Sequence, residues 1–480
     1  MKRRDVLKLG LLAGAAAAVP AERLTGAFAQ RAVAAGPPVQ LFDTPLVVPP
    51  VLKPKYSIAG TDYYDVTIKP AVQEILPGLR TPIWGYDGIF PGPTIKTRRN
   101  RPIVVRQRNK LPGESAVHLH GANVPSSSDG LPGDEIAPGK DRFYLYPNRQ
   151  QATTLWYHDH VHHHEAFNTY QGLTGLYLIT DPAEDKLGLP SGKYDVPLVI
   201  QDRSFNADGT FRIPDPGAGE FFGEVAVVNG KPHPFLQVEQ RRYRFRLLNG
   251  SSLDTLHELT LGSGDGFHVI GTDGGLLPAP VPVTKLPLAP SERAEVVIDF
   301  SRYPVGSHVV LNSSIFGAPM QIMRFDVRKA TGPNHRLPSK LVPIQRLKES
   351  QAKVRRDFQL NLDKARGEMV INGKTFDPDR IDIKPKLGAT EVWTIFNAET
   401  PDLPIPHVFH THLVRFQILD RNGVPPAPFE SGWKDSVTVM PGEKVRIIMR
   451  FGDFPGRFLY HCHLLGHADA GMMATMLVTP

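Results

Sequence analysis

Short runs rich in β-branched and aromatic residues recur along the chain, and three of them share one ending. The runs Ile103–Asn109, Tyr243–Asn249 and Val392–Asn397 each stop at an asparagine. Runs of this length and composition predict β-strands, and no stretch shows a helical hydrophobic period of comparable strength. The 43 glycines and 46 prolines follow no fixed period, which is typical of many turns between short strands. The sequence therefore predicts an all-β protein.

The three runs mark an internal repeat of roughly 140–150 residues. Each is followed within about ten residues by a segment that contains histidine, at Val117–Gly121, Leu256–Leu261 and His407–His412. This repeat predicts three tandem β-sandwich domains, over residues 45–182, 195–328 and 355–480. The middle copy holds only His257 where the outer copies hold two or three histidines. We therefore expect the middle domain to be a spacer that lacks the chemistry of its neighbours.

Composition and charge exclude several classes of protein. With 480 residues, 41% hydrophobic and 21% charged, the chain is globular and neither disordered nor fibrous. The single cysteine excludes an internal disulfide framework. The net charge is +7, and +4 without residues 1–29, which is too mild and too evenly spread to indicate a nucleic-acid partner. No apolar run is long enough to predict a membrane span.

The first 29 residues have the three parts of an export signal. Basic residues that include the pair Arg3-Arg4 precede an apolar stretch, Leu9–Val19, and Ala27–Ala29 supplies small residues for cleavage. Paired arginines are typical of the twin-arginine (Tat) export machinery. We therefore expect a periplasmic or secreted protein that begins near Gln30.

Ten of the 18 histidines fall in four short clusters. The clusters are His118-Leu-His120, His158-Asp-His160, His407-Val-Phe-His410-Thr-His412, and His461-Cys-His463 with His467. On a strand, residues i and i+2 point to the same face about 7 Å apart, so an H-x-H pair offers two imidazoles on one side. Four such clusters in the first and last domains indicate metal binding.

The types of ligand indicate copper. Cys462 with His407 and His467, plus a weak thioether from Met472, forms the two-histidine, one-cysteine, axial-methionine set of a blue-copper site. Zinc is the alternative, but structural zinc sites use more thiolates than the single one available. The other eight histidines are imidazole-only ligands, a number that suits three coppers. Because Cys462 is bonded directly to His461 and His463, an electron has a short covalent route between the two sites.

With these motifs the sequence resembles the multicopper oxidases, the laccase family in the broad sense, from about Tyr56 to Pro480. The motifs H-x-H-G, H-x-H, H-x-x-H-x-H and H-C-H-x-x-x-H-x-x-x-G-M are all complete. Flanking stretches resemble bacterial spore-coat laccases and bilirubin oxidases; they are Trp84–Tyr86, Phe90–Thr94, Trp156–His160 and Gly432–Asp435. The resemblance implies three tandem cupredoxin-like Greek-key β-sandwich domains.

The resemblance also implies ligands for four coppers and a reaction. It assigns His407, Cys462, His467 and Met472 to the type 1 copper, His118 and His410 to the type 2 copper, and His120, His158, His160, His412, His461 and His463 to the type 3 pair. Electrons from a small reducing substrate would pass through Cys462 to the cluster, where dioxygen is reduced to water. A methionine as the axial ligand is expected to give a moderate potential.

The resemblance also concerns the roles of residues around the ligands. Asp129 lies where the family places a carboxylate that orients the type 2 site and passes protons, but Asp129-Gly130 is also a turn signal. Ala468 stands where close relatives usually carry a glutamate thought to feed protons, and Asp469 is a possible substitute. The run His162–His164 is interpreted as residues outside the ligand set or at the surface, although an extra metal there stays open.

Several alternatives to a laccase-like oxidase stay open. A cuprous oxidase for copper tolerance usually has methionine-rich segments, and this chain has nine methionines in all. A copper-free structural relative that acts in cell division has lost ligands, whereas this chain keeps all twelve. A nitrite reductase would have fewer domains and a different cluster. The donor depends on loops such as Thr400–Pro406 and Val424–Ser431, and neither the donor nor the oligomeric state is defined by the sequence.

Overall fold

The computed structural model describes residues 36–215, 222–315, 317–330, 334, 336–400 and 405–480. The predicted export signal at residues 1–29 lies outside these ranges and stays a prediction. The described residues form six β-sheets and three short α-helices. None of the helices within those ranges is long and apolar enough to cross a membrane.

The first two sheets lie between residues 56 and 180, with strands numbered in chain order. One sheet has the order β1 (Tyr56–Ile58), β2 (Thr61–Gln73), β5 (Ile103–Asn109), β7 (Asp141–Tyr146), with β3 (Thr81–Tyr86) also paired to β2. The other has the order β4 (Gly92–Arg98), β9 (Thr174–Thr180), β8 (Thr153–Asp159), β6 (Val117–His120). Their facing side chains form one buried apolar core.

The middle two sheets lie between residues 195 and 329. The larger has the order β13 (Lys231–Pro232), β12 (Val225–Val228), β10 (Asp195–Phe205), β15 (Arg242–Asn249), β20 (Arg293–Asp299), β17 (Phe267–Thr272), β18 (Gly275–Val283), with β11 (Phe211–Arg212) on β10. The smaller has the order β14 (Phe235–Glu239), β22 (Ala318–Lys329), β21 (His308–Ile315), β16 (His257–Leu261), β19 (Leu286–Leu288). A second apolar core lies between them.

The last two sheets lie between residues 354 and 478. One has the order β24 (Glu368–Ile371), β23 (Val354–Asp363), β25 (Thr390–Asn397), β29 (Lys444–Arg450), β27 (Phe416–Arg421). The other has the order β28 (Ser436–Val439), β26 (His407–Thr411), β30 (Gly456–Cys462), β31 (Met473–Val478). The third core, which includes Cys462, fills the space between them.

Helices are few and short, as the absence of a helical period predicts. The α-helices are α1 (Glu165–Gln171), α2 (Pro182–Asp185) and α3 (Leu465–Asp469). Single 3₁₀ turns lie at Ser126–Ser128, Gly192–Tyr194, Phe300–Arg302, Glu349–Gln351 and Pro428–Glu430. Helices α1 and α3 follow metal-binding motifs of the first and last domains, and they contact each other through side-chain hydrogen bonds described below.

The predicted strands form because their apolar residues alternate. On β5, Ile103 and Val105 are fully buried, while Arg106 on the opposite face forms an ion pair with Asp65 of β2 at 2.7 Å. This alternation lets one face of each outer sheet meet water and the other meet the core. Strand β8 is different, since all seven of its residues are buried. Leu155 and Tyr157 on one side belong to the core of the first domain. Trp156, on the same side as His158, packs against Val199 and Leu248 of the middle domain.

The asparagine at the end of each repeated run makes the same set of hydrogen bonds in all three domains. Its side-chain amide donates to two backbone carbonyls, those of Gly113 and Ile136 for Asn109, Thr255 and Leu288 for Asn249, and Ile405 and Val439 for Asn397, at 2.6–2.9 Å. Its side-chain oxygen accepts from the backbone N–H two residues on, at 2.8–3.1 Å. The run that ends there pairs in parallel with an earlier strand each time: β2 with β5, β10 with β15, β23 with β25. The three-fold repeat of β-sandwich topology predicted from sequence is thus confirmed.

We predict that Asn249→Ala destabilises the middle domain without disturbing its neighbours' chemistry. The change leaves two buried carbonyls and one N–H without partners, at a cost of about 3 kcal/mol. The lowest thermal unfolding transition should fall by roughly 5–10 °C. Asn206→Ala is the control, because Asn206 hydrogen-bonds Thr210 in an exposed hairpin loop where water can replace it. Equal melting temperatures for the two variants would contradict this role.

Candidate metal centre

Two neighbouring strands of the first domain bring four histidines together. His118 and His120 lie on β6, and His158 lies on β8 directly opposite His118 in the antiparallel pairing. His160 follows the end of β8, and its backbone N–H donates to the carbonyl of Ala116 at 2.9 Å. All four side chains are at most 1% exposed. The two H-x-H motifs therefore form one group, on adjacent strands of one sheet.

The last domain repeats this arrangement with its own pair of strands. His410 on β26 lies opposite His461 on β30. His412 and His463 lie two residues later in the chain, each just beyond the end of its strand. The four histidine side chains are at most 1% exposed. The His412 Nε2 and His461 Nε2 atoms are only 3.2 Å apart.

The two groups of four meet ring against ring between the domains. His118 stacks on His412, and His120 stacks on His410, each with ring centroids 3.8 Å apart. His160 and His461 face each other edge-on at 5.2 Å. The structure thus joins all eight histidines that the sequence analysis singled out as imidazole-only ligands into one cluster, hereafter the eight-histidine cluster.

The protonation state and the unpaired nitrogens of the eight histidines fit a bound metal ion. Burial, reinforced for most of them by the neighbouring imidazoles, lowers the pKa of every one of the eight, to about 3 for His118 and about 4 for His461. They are therefore neutral, the form that binds metals. Several ring nitrogens have no hydrogen-bond partner among the described residues: His118 Nε2, His120 Nδ1, both nitrogens of His160, His158 Nε2, His410 Nε2 and both nitrogens of His463. Unpaired buried polar atoms are costly, and copper would satisfy them.

Hydrogen bonds on the outer side of the rings select which nitrogen is left for a metal. The Nδ1–H groups of His118, His158 and His410 face the backbone carbonyls of Asp129, Asp159 and Asp435 at 2.7–2.9 Å, which leaves Nε2. His120 is reversed, because its Nε2 faces Asp435 Oδ1 at 3.0 Å and Ser436 Oγ at 3.2 Å. Outer partners of this kind fix the tautomer and orientation of a metal-binding imidazole.

Asp129 is both a turn former and a partner of the cluster. It ends the 3₁₀ turn Ser126–Ser128, and Gly130 follows with φ +73°, in a position where a Cβ would collide with the backbone of Val117. Its fully buried carboxylate lies 2.7 Å from His412 Nδ1, with its other oxygen 3.6 Å from His118 Nδ1. Burial raises the pKa of Asp129. The two interpretations of the Asp-Gly pair are therefore compatible.

The middle domain supplies a residue that the spacer expectation did not include. Arg293, fully buried at the start of β20, donates to Asp435 Oδ1 at 2.7 Å. Asp435 in turn holds His120, so side chains from all three domains meet behind the cluster. The glycine of the H-x-H-G motif, Gly121, is required here, since a Cβ on it would collide with both Asp435 and Arg293. The middle domain brings no histidine to the cluster, but it is more than a spacer.

A second group of ligands lies in the core of the last domain. The Cys462 Sγ atom is 3.6 Å from His407 Nδ1 and 3.6 Å from His467 Nδ1. A nitrogen bound at about 2.0 Å and a thiolate at about 2.3 Å, separated by about 120°, lie about 3.7 Å apart, so the spacing fits a trigonal metal site. Burial raises the pKa of Cys462 to about 12, so a bound cation is what would hold it as a thiolate. Met472 is fully buried beside this group, and its backbone bonds to His467 and Cys462 at 3.0 Å.

The two groups are adjacent through the chain. Cys462 points into the core of the last domain, whereas His461 and His463 on either side of it belong to the eight-histidine cluster. The alternation of a β-strand predicts this division, and the structure places the three residues accordingly. The His461 Nδ1 atom also faces the Cys462 carbonyl oxygen at 3.0 Å.

The two residues after His467, Ala468 and Asp469, contribute to the packing between α3 and α1. Ala468 is fully buried, and the Asp469 carboxylate accepts the backbone N–H groups of Glu165 at 3.1 Å and Ala166 at 2.9 Å. Asp469 therefore holds the first turn of α1. Burial raises the pKa of Asp469 to about 7.

The structure also places a carboxylate that the sequence analysis missed. Glu165 is buried against His158 and His160, and no motif marks it. Of the three histidines before it, His162 stacks on His163 at 3.7 Å, and His163 and His164 are exposed. This run thus lies at the rim, outside the eight-histidine cluster.

Comparison with known proteins agrees with this geometry. Sequence models of the multicopper oxidase family match residues 67–184 and 346–480. A laccase from Bacillus subtilis is 36% identical over 92% of this chain and 99% of its own length. A bilirubin oxidase from Albifimbria verrucaria is 35% identical over 95% of this chain and 84% of its own. The crystal structure of a laccase from Pediococcus acidilactici covers 94% of this chain and 97% of its own at 32% identity, with a TM-score of 0.86.

One relative shows why similarity alone does not define the activity. The cell division protein FtsP from Escherichia coli is 33% identical over 91% of this chain and 93% of its own length. The family itself is shown by the laccase match and by the shared fold, which agrees with the predicted three tandem cupredoxin-like domains. The chain therefore belongs to the multicopper oxidase family and is a copper-dependent oxidoreductase of the laccase-like type.

Proposed function

We propose that this chain is an oxidase that couples four one-electron oxidations of a small donor to the reduction of dioxygen to two waters. The donor is a phenol, an aromatic amine or a bilirubin-like compound. One observation carries the proposal: two complete sets of buried ligands meet at the tripeptide His461-Cys462-His463. An oxidase needs one site that takes electrons singly and another that holds dioxygen, with a short connection between them.

The proposed copper content is four per chain. The type 1 ligands are His407, Cys462, His467 and Met472; the type 2 ligands are His118 and His410; the type 3 ligands are His120, His158, His160, His412, His461 and His463. The spacing of the three sulfur and nitrogen atoms in the last domain and the unpaired imidazole nitrogens in the cluster support this set.

Copper bound in these sites supplies the one-electron redox chemistry. The chain's own residues restrict where a donor and a proton can reach it. His407 and Cys462 are fully buried, and His467 is 4% exposed, so the edge of His467 is the proposed point of contact with the donor. Asp129 is the proposed proton-handling carboxylate, because it holds the Nδ1–H of His412 and keeps its other oxygen toward His118.

The described methionines argue against a cuprous oxidase. Met440 is 45% exposed and Met320 is half-buried, while the others in the described ranges lie in apolar cores. A Cu(I) site made of exposed methionines is thus missing from the part of the chain that the structure describes. A copper-free structural role, the second alternative, is disfavoured by the complete ligand set.

Export is part of the proposal. The paired arginines and the cleavage motif of residues 1–29 support passage through the twin-arginine machinery to the periplasm or outside the cell. The N-terminal sequence of the mature protein, expected near Gln30, tests this.

We predict that Cys462→Ser abolishes oxidation of a phenol, of bilirubin and of Cu(I), measured side by side on copper-loaded protein. Without the thiolate the intense blue absorption disappears, whereas the eight-histidine cluster still retains copper. Wild type should prefer an organic donor over Cu(I). Thr475→Ser, a conservative change at a buried position of β31, is the control and should behave as wild type. A Cys462→Ser protein that stayed blue would disprove the type 1 assignment.

We predict that Asp129→Asn slows reoxidation of the fully reduced protein by dioxygen about 100-fold and leaves the blue colour intact. Asparagine keeps the turn before Gly130 and the contact with His412, but it cannot handle a proton. Stopped-flow mixing with dioxygen measures the rate. The control is Asp134→Asn, which removes a half-exposed carboxylate paired with Arg142 from the same loop. If Asp129→Asn were reoxidised at the wild-type rate, Asp129 would have no role in proton transfer and would serve only to form the turn.

A further inference from the structure

Glu165, the first residue of α1, is a buried carboxylate aimed at the eight-histidine cluster. It is 1% exposed. Its Oε1 lies 3.5 Å from His158 Nδ1, and its Oε2 lies 3.7 Å from His160 Nδ1. These are the two histidines of the second H-x-H motif. The carboxylate therefore lies on the outer side of their rings, away from the centre of the cluster.

No cation explains the burial of this side chain. Among the described residues, Oε1 has no hydrogen-bond partner and no lysine or arginine forms an ion pair with Glu165. The nearby acidic groups are Asp469 and Asp159, which repel it. Burying a carboxylate without a compensating charge costs several kcal/mol. A positive charge held by the cluster is the compensation that this structure offers.

The Nδ1 atom of His160 differs from the Nδ1 atoms of five other histidines of the cluster, because it has no acceptor within hydrogen-bond distance in the part of the chain that the structure describes. The Nδ1 atoms of His118, His158, His410, His412 and His461 each have a carbonyl or carboxylate within 3.0 Å. His160 Nδ1 has no such partner in the described ranges, and Glu165 Oε2 is the acceptor that faces it.

The position of Glu165 is fixed by the last domain. Asp469, two residues after His467, accepts the backbone N–H groups of Glu165 and Ala166. Helix α1 of the first domain is thus tied to helix α3, which carries a type 1 ligand.

We propose that Glu165 is a positioning residue for the first domain's half of the cluster. Its negative charge holds the rings of His158 and His160 so that each presents its inner nitrogen, and it strengthens their binding to copper. The proposal rests on the proposed copper content of the cluster.

The test is copper affinity of the cluster in Glu165→Gln, an isosteric variant without the charge. Copper-loaded protein is titrated with a chelator, and copper per chain is measured while the blue colour reports the type 1 site. We expect a 10- to 100-fold loss of affinity for the cluster copper and an unchanged blue colour. We expect the copper-free variant to melt at the wild-type temperature, because glutamine has the same size as glutamate and no lysine or arginine among the described residues pairs with Glu165. A purely structural glutamate would instead lower that temperature and leave affinity unchanged.

Wild-type affinity in Glu165→Gln would overturn the positioning role by itself. Wild-type protein that bound no copper at the cluster would overturn the proposed function together with this inference.

Discussion

The contact among Arg293, Asp435 and His120 is the interaction on which the rest of the cluster depends. Arg293 belongs to the middle domain, Asp435 to the last and His120 to the first, and all three side chains are buried. Buried ion pairs are not stabilising in themselves, because both charges lose their hydration. This one is surrounded by further hydrogen bonds, from Arg293 to the Thr154 carbonyl and from Ser436 to Asp435. Its effect is to fix the distance between the first and last domains, which each hold half of the eight-histidine cluster.

That constraint explains why a domain without ligands is retained between two domains that have them. The two facing halves contact each other directly, and contacts with a third domain further restrict their separation and tilt. The middle domain does so through Arg293 and through Asp273, which accepts from the backbone of Arg293 at 2.7 Å and pairs with Lys434 at 3.1 Å.

The sequence predicted what is encoded by local spacing and missed what is made by packing. The H-x-H motifs predicted shared faces because side chains alternate on a strand, and the structure places His118 and His120 together accordingly. Asp129 was found through the family resemblance, but its contact with His412 spans 283 residues of chain. No sequence motif includes Arg293 or Glu165, and their roles depend on contacts with residues of other domains or elements. The sequence analysis expected a spacer without its neighbours' chemistry, and the role of Arg293 behind Asp435 was not part of that expectation.

The central claim is that twelve buried side chains hold four coppers in two linked sites. Metal analysis of the wild-type protein, loaded with copper without oxygen and freed of excess metal, tests it most directly. Four coppers per chain, with an intense blue absorption from one of them, is the predicted result. One copper or none per chain, in protein that is folded by its circular dichroism, would contradict the claim.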